Sequence, residues 1–120
     1  IYTSIYHIEK HNFPWRQSAE NFVKFVGDEG EVVFAVNKSE DNTLKILQEF
    51  AAAHKNVKIV ETDFSYDDIT MDGKIKNAAL QATTKKLKIQ MDCDEIIPLS
   101  NRDKWVEYGK KLLESKYDCF

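Results

Sequence analysis

The chain has 120 residues, of which 17 are basic and 20 are acidic, so its formal net charge is −3. Its 42% hydrophobic content, with so small a net charge, excludes an intrinsically disordered segment. The acidic balance and the lack of a basic face argue against nucleic acid as a partner. The apolar runs fall far short of the roughly 20 residues that cross a bilayer, so no transmembrane segment is predicted.

Hydrophobic periodicity predicts alternating strands and helices in the first half of the chain. An extended stretch at residues 2–8 precedes a helix that Pro14 opens and Gly27 ends. The continuous apolar run at residues 31–36 is typical of a strand covered on both faces. Residues 44–51 then carry the buried stripe of a second helix.

The second half of the chain continues this alternation. A strand is predicted at residues 57–61, followed by a polar loop at residues 62–72 that is long enough to carry function. A helix at residues 73–83 leads to a strand at residues 87–91, where apolar and polar residues alternate.

The last predicted helix covers residues 101–115 and carries Trp105, Tyr108 and Leu112 on its inner face. Residues 117–120 have the pattern of another opening strand. No repeat, low-complexity tract or Pro/Gly-rich linker interrupts the chain, so residues 1–120 are predicted to form a single domain.

These elements together predict an α/β fold with a Rossmann-like, doubly wound, mainly parallel sheet. In such sheets, ligands bind beyond the carboxyl ends of the strands, near the point where the strand order reverses. Two polar segments are expected to meet there, residues 37–41 after the second strand and residues 92–95 after the fourth.

The most specific motif is the run Asp92-Cys93-Asp94-Glu95. In an extended segment, alternate residues point the same way, so Asp92 and Asp94 can present two carboxylates to one cation. Hard oxygen ligands favour Mg²⁺ or Mn²⁺, which keep positions open for phosphate oxygens. An isolated pair of this kind is more often a solvated acidic turn. Its place after an apolar strand, at the ligand edge of a parallel sheet, favours a metal-bridged diphosphate.

Other polar residues are further candidates for the site. Asp41, at the start of the second helix, suits a nucleoside or phosphate and serves equally well as an ordinary helix cap. Lys76 can neutralise phosphate charge or be a plain surface lysine. Glu9 follows the first strand and reaches the crevice by topology. The acids on either side of Cys93 are expected to raise its pKa, which makes it an unreactive spacer.

From residue 3 to residue 103, the chain resembles the nucleotide-sugar-binding half of a family 2 glycosyltransferase with the GT-A fold. The family's V-D-x-x-S-x-D-x-T segment is matched at Val36, Ser39, Asp41 and Thr43, with Asn37 replacing the usual aspartate. Two further stretches resemble the family's motifs: residues 76–80 its basic-Asn-x-Ala helix start, and residues 92–95 its metal-binding L-D-A-D-E signature.

This resemblance implies that Asp94 contacts a divalent metal, Mn²⁺ or Mg²⁺, and that Asp92 contacts both the metal and the donor. It implies a nucleotide-diphosphate sugar as donor, with a UDP-sugar foremost, and a glycan or lipid-linked acceptor. The residues expected to bind the nucleotide sugar are Glu9, Asn37, Asp41, Lys76, Asn77 and Asp92.

In the family, an acid from the acceptor-binding half deprotonates the acceptor hydroxyl. The resemblance therefore implies that the catalytic base lies beyond the end of this chain. It also implies a domain truncated before the acceptor-binding half. No catalytic residue is assigned here. The alternative is a non-catalytic α/β module that binds a nucleotide or sugar. With two cysteines and no signal-peptide pattern, we expect a cytoplasmic protein, peripheral to a membrane only through other regions.

Overall fold

The computed structural model describes residues 1–116, so the strand predicted at residues 117–120 lies outside the described residues. Within residues 1–116, no helix is long and apolar enough to span a membrane. The elements in chain order are β1 (Tyr2–Ile5), α1 (Ile8–His11), α2 (Trp15–Val26), β2 (Val32–Asn37), α3 (Thr43–Ala52), β3 (Val57–Thr62), α4 (Met71–Ala82), a 3₁₀ turn (Leu99–Asn101) and α5 (Arg102–Glu114).

The three strands form a parallel sheet in the order β1-β2-β3, which confirms the predicted α/β architecture. On the other side of β1, Gln90 forms a single parallel bridge with Tyr2. The Tyr2 N–H donates to the Ile89 carbonyl at 3.0 Å, and the Met91 N–H donates to the Tyr2 carbonyl at 3.2 Å. From β1 the sheet continues through β2 and β3 on one side, and residues 89–91 later return to the other side of β1. The strand order reverses at that point, which is where α/β sheets bind ligands.

Helices cover both faces of this sheet, as a doubly wound fold requires. The buried side chains of β2 alternate, with Val32, Phe34 and Val36 in one apolar cluster and Val33 and Ala35 in another. The first cluster includes residues of α2 and α3, and the second includes residues of α4. All six β2 residues are buried, which explains why residues 32–36 are all apolar.

The first strand is shorter than predicted, because β1 ends at Ile5 and a helical turn, α1, follows. His7 and Asn12, on either side of α1, have left-handed backbone conformations with φ of 52° and 51°. The free N–H groups of α1 are bound by side chains that come from far along the sequence. The Thr43 hydroxyl accepts from Ile8 at 3.0 Å, and an Asp41 carboxylate oxygen accepts from the next two residues.

The strand predicted at residues 87–91 is reduced to the bridge at Gln90. Ile89 and Met91 pack against the larger core cluster, whereas Gln90 is exposed. Apolar residues of this segment therefore face the core in alternation, as predicted. Only residues 89–91 come close enough to Tyr2 for backbone pairing.

The expectation that Trp105 and Tyr108 point inward is wrong, because these side chains are 41% and 53% exposed. Gly109 is the buried residue of α5, and a methyl group there would meet the Leu87 side chain. The aromatic rings of α5 instead line a cavity of about 770 Å³ beside residues 87–90. The helix approaches the sheet edge through its glycine, which leaves its large side chains over an open groove.

Glu31 fixes the path of the chain from α4 back to the sheet edge. The residue is 5% exposed, and its carboxylate lies 2.6 Å from the Lys58 ammonium. It also accepts hydrogen bonds from the backbone N–H groups of Thr84 and Lys85. Burial raises the pKa of Glu31, but the bonds from Lys58, Thr84 and Lys85 outweigh it and lower the pKa to about 2. This carboxylate thus holds the segment that leads to residues 89–91.

We predict that Glu31→Gln lowers the free energy of unfolding by about 2 kcal/mol at neutral pH, because charged hydrogen bonds to a buried group are lost. The ionised carboxylate stabilises the fold above its unfolded pKa near 4, and this contribution disappears as the pH falls toward 2. Urea unfolding from pH 7 to pH 2 should therefore show a smaller loss of stability in the variant than in the wild type. Parallel pH curves would contradict the prediction.

Candidate functional site

A pocket of about 210 Å³ lies where the strand order reverses. It is open to solvent between the end of β1, the start of α4 and the turn after residue 91. This pocket, which we call the switch-point pocket, is lined by Ser4, Ile5, Tyr6, Phe13, Asp72, Lys76, Asp92, Cys93 and Asp94. Three of the predicted site residues, Lys76, Asp92 and Asp94, therefore meet at one place.

Lys76 links the two sides of this pocket. Its ammonium lies 2.8 Å from an Asp72 oxygen and 3.0 Å from an Asp92 oxygen. The Ser4 hydroxyl donates to the other Asp72 oxygen at 2.8 Å. Burial lowers the pKa of Lys76, but the two carboxylates raise it by a larger amount. The net shift is therefore upward, and the side chain stays charged. Burial raises the pKa of Asp72, but the hydrogen bonds from Lys76 and Ser4 have the larger effect, so the net shift is downward.

The motif at residues 92–95 folds into a tight turn. The Asp92 N–H donates to the Glu95 carboxylate at 2.8 Å, and the Glu95 N–H donates to the Asp92 carbonyl at 3.1 Å. Asp92 and Asp94 are exposed, whereas Cys93 packs against the core. Burial and then the Asp94 charge raise the pKa of Cys93 to about 11, which confirms the expected rise and keeps the thiol protonated.

The donor groups of the switch-point pocket fit a hard divalent cation in part. Among residues 1–116, no group of three or more His, Cys, Asp or Glu side chains could hold a metal. Asp92 and Asp94 supply two carboxylates, and Mg²⁺ commonly uses one or two carboxylates together with substrate phosphates. A cation here would thus complete its coordination with oxygens from a ligand and water. The metal site stays a prediction.

Asn37 is placed differently from the sequence expectation. Its side chain is fully buried, and its amide oxygen accepts hydrogen bonds from the Thr62 hydroxyl at 3.0 Å and the Phe64 N–H at 2.9 Å. Its amide nitrogen donates to the Phe64 carbonyl at 3.0 Å. In this structure Asn37 holds the start of the loop after β3 and does not line the switch-point pocket. Its contact with a nucleotide stays a prediction.

Glu9 and Asp41 join the segment after β1 to the segment after β2, because each side chain accepts a backbone hydrogen bond from the other segment. Asp41 accepts from the Glu9 N–H at 3.2 Å, and Glu9 accepts from the Asn42 N–H at 2.9 Å. Burial raises the pKa of Asp41, but hydrogen bonds from Thr43 and Ser39 lower it to about 2. Asp41 also accepts from the Thr43 N–H, the first of α3, at 3.1 Å, as the capping interpretation expects. Asn77 is exposed on α4 and is not among the residues that line the switch-point pocket.

Sequence reasoning missed Asp72 and a cluster of rings beside the pocket. Asp72 precedes Lys76 by one helical turn, and this spacing could have revealed the pair. The Tyr66 ring lies 4.8 Å from the His7 ring and 5.9 Å from the Tyr6 ring between centroids. These contacts connect the loop after β3 to the end of β1, two segments that no local sequence pattern relates.

The chain matches no protein-family model and no curated protein. Among solved structures, it is similar to S. aureus TarS 1-349, a glycosyltransferase, with a TM-score of 0.69 and 20% sequence identity. The match covers 92% of this chain and 31% of that chain, so the chain spans about a third of the TarS structure. The likeness shows that the chain shares the fold of the matched part of TarS, and it confirms the predicted Rossmann-like α/β sheet. Membership of family 2 stays a prediction.

We predict that Asn37→Asp lowers the free energy of unfolding by about 1–3 kcal/mol, because a buried carboxylate would replace the amide donor that now meets the Phe64 carbonyl. The same change at Asn77, which is exposed on α4, should alter the free energy by less than about 0.5 kcal/mol. Urea unfolding of both variants checks the prediction. Equal stability of the two would contradict it.

Proposed function

We propose that residues 1–120 form the donor-binding part of a metal-dependent glycosyltransferase. The enzyme would transfer a sugar from a nucleotide-diphosphate sugar, with a UDP-sugar the first candidate, to a hydroxyl of a glycan or lipid-linked acceptor. One observation carries the proposal: Lys76, Asp92 and Asp94 meet in a pocket at the strand-order reversal of a glycosyltransferase-like fold.

The roles of the three side chains follow from their charges. Asp94 and Asp92 would hold Mn²⁺ or Mg²⁺, which stabilises the leaving diphosphate by neutralising its negative charge. Lys76 carries an ammonium beside Asp92, and it would bind a phosphate oxygen. A small-molecule site usually occupies about 300–1,000 Å³, so the switch-point pocket of about 210 Å³ suits the diphosphate rather than the whole donor. The base and the sugar would lie against its rim.

The acceptor-binding part would come from elsewhere in the protein. A general base must lie within hydrogen-bond reach of the acceptor hydroxyl, and we assign that role to no residue of this chain. The similarity to TarS, of which the chain covers 31%, is compatible with an acceptor-binding region outside the matched part.

The alternative is a non-catalytic module that binds a nucleotide or sugar. It is favoured because Lys76, Asp92 and Asp94 offer charged groups for a ligand, whereas we assign an acceptor base to no residue of this chain. Such a module needs the switch-point pocket but needs no acceptor base. Cation-dependent transfer or hydrolysis of the donor by the whole protein favours the enzyme, whereas binding without turnover favours the module.

We predict that a UDP-sugar binds in the presence of Mn²⁺ and that Asp94→Asn weakens this binding at least about tenfold, since a charged ligand of the cation is removed. Isothermal titration calorimetry with and without Mn²⁺ measures both effects. Asp28→Asn is the matched control, because Asp28 forms an exposed ion pair with Lys55, away from the pocket.

The control variant should bind the donor with wild-type affinity. If Asp94→Asn also binds like the wild type, Asp94 does not hold the metal. If wild-type binding is the same with Mn²⁺ and with a chelator, the proposed metal dependence is wrong.

A further inference from the structure

Lys76 is paired with Asp92, a carboxylate that the proposed metal would also use. Its ammonium lies 3.0 Å from an Asp92 carboxylate oxygen. The lysine side chain is 23% exposed, whereas that of Asp92 is 54% exposed. Lys76 is thus the more buried partner of this ion pair, and a cation that binds Asp92 has to compete with its ammonium. Without a ligand, Lys76 already compensates part of the Asp92 charge, and it divides its own charge between Asp92 and Asp72.

Asp72 holds the other side of Lys76. It lies 2.8 Å from the ammonium, one helical turn before Lys76 on α4. The Ser4 hydroxyl donates to the second Asp72 oxygen at 2.8 Å, so β1 and α4 together fix this carboxylate. Lys76 therefore keeps a partner in the pocket even when its bond to Asp92 is broken.

We propose that Lys76 is an internal counter-ion of Asp92, which competes with the divalent cation for this carboxylate and stays bound to Asp72 when the cation displaces it. The inference rests on the proposed function, because that proposal places the cation at Asp92 and Asp94. It adds that the cation and the diphosphate bind cooperatively.

The cooperativity follows from the repulsion between the divalent cation and the Lys76 ammonium. A divalent cation that binds alone must approach an ammonium within a few ångströms, and like charges repel most strongly where protein excludes part of the water. A diphosphate adds negative charge between the two cations and removes this repulsion. Each ligand then raises the affinity for the other by the same factor, as linkage requires.

Loss of the Lys76 charge should accordingly change the two affinities in opposite directions. In Lys76→Met, Mn²⁺ alone should bind about fivefold to tenfold more tightly than in the wild type, because its competitor is gone. UDP in the presence of saturating Mn²⁺ should bind more weakly by a similar factor, because a phosphate partner is gone. A lysine that acts only in folding would produce neither pattern in a folded variant.

Electron paramagnetic resonance of free Mn²⁺ measures the first affinity, and calorimetry with UDP measures the second. Lys74→Met is the matched control, because Lys74 lies on the same helix, pairs with Asp68 and does not line the pocket. Its two affinities should stay within about twofold of the wild type. Lys76→Arg keeps the charge and should restore affinities close to the wild type, and circular dichroism verifies that every variant is folded.

Asp72→Asn provides an independent test that does not require removal of the lysine. Without Asp72, Lys76 is left with Asp92 as its carboxylate partner in the pocket, so Mn²⁺ alone should bind more weakly. In the Lys76→Met background, the same change should have a much smaller effect, which a double-mutant cycle detects. Equal effects in both backgrounds would overturn the role of Asp72.

Wild-type Mn²⁺ affinity in folded Lys76→Met would overturn the counter-ion proposal and leave the metal site itself intact. Absence of Mn²⁺ binding in every variant, with and without UDP, would overturn both this inference and the proposed metal-dependent function. The two failures are therefore distinguishable in one series of measurements.

Discussion

The backbone pairing of Tyr2 with residues 89 and 91 determines where the charged residues of this protein meet. Two hydrogen bonds of 3.0 and 3.2 Å attach the returning chain to the free side of β1. Because β2 lies on the other side of β1, the strand order reverses here, and the turn that follows brings Asp92 and Asp94 beside Ser4. Glu31 supports this arrangement from the opposite end of the sheet by fixing residues 84 and 85. The pocket thus depends on contacts between segments that are far apart in sequence.

The sheet and its helices could be predicted from the sequence because local composition determines them. The first five residues of β2 are all apolar because both faces of the strand are buried. Gly27 ends α2 because that position requires a positive φ of 64°. The turn of α1 could not be predicted, because its N–H groups are bound by Asp41 and Thr43 from a distant loop. Fold topology led us to expect residues 37–41 beside residues 92–95, but no residue of 37–41 lines the switch-point pocket. The contact of Lys76 with Asp92 was not predicted. Asp72 was missed because its role depends on its contacts with Ser4 and Lys76.

Lys76 compensates part of the negative charge of the switch-point pocket, which is lined by three carboxylates. Ser4, Asp72, Lys76 and Asp92 form a continuous chain of polar contacts that joins β1, α4 and the turn after residue 91. A ligand that binds here must exchange these contacts for its own, so it needs both a cation for the carboxylates and an anion for the lysine. A metal-bound diphosphate meets both needs at once, which is compatible with the small net charge of the chain.

The central claim is that a divalent cation and a diphosphate occupy the switch-point pocket together. Anomalous X-ray diffraction at the manganese edge, from crystals that contain Mn²⁺ and UDP, tests this claim most directly. The account predicts an anomalous peak within about 2.0–2.6 Å of carboxylate oxygens of Asp94 and Asp92, a distance typical of hard divalent cations. It also predicts a UDP phosphate on the Lys76 ammonium. A peak elsewhere, or UDP bound in the groove beside α5 with Lys76 still on Asp92, would contradict it.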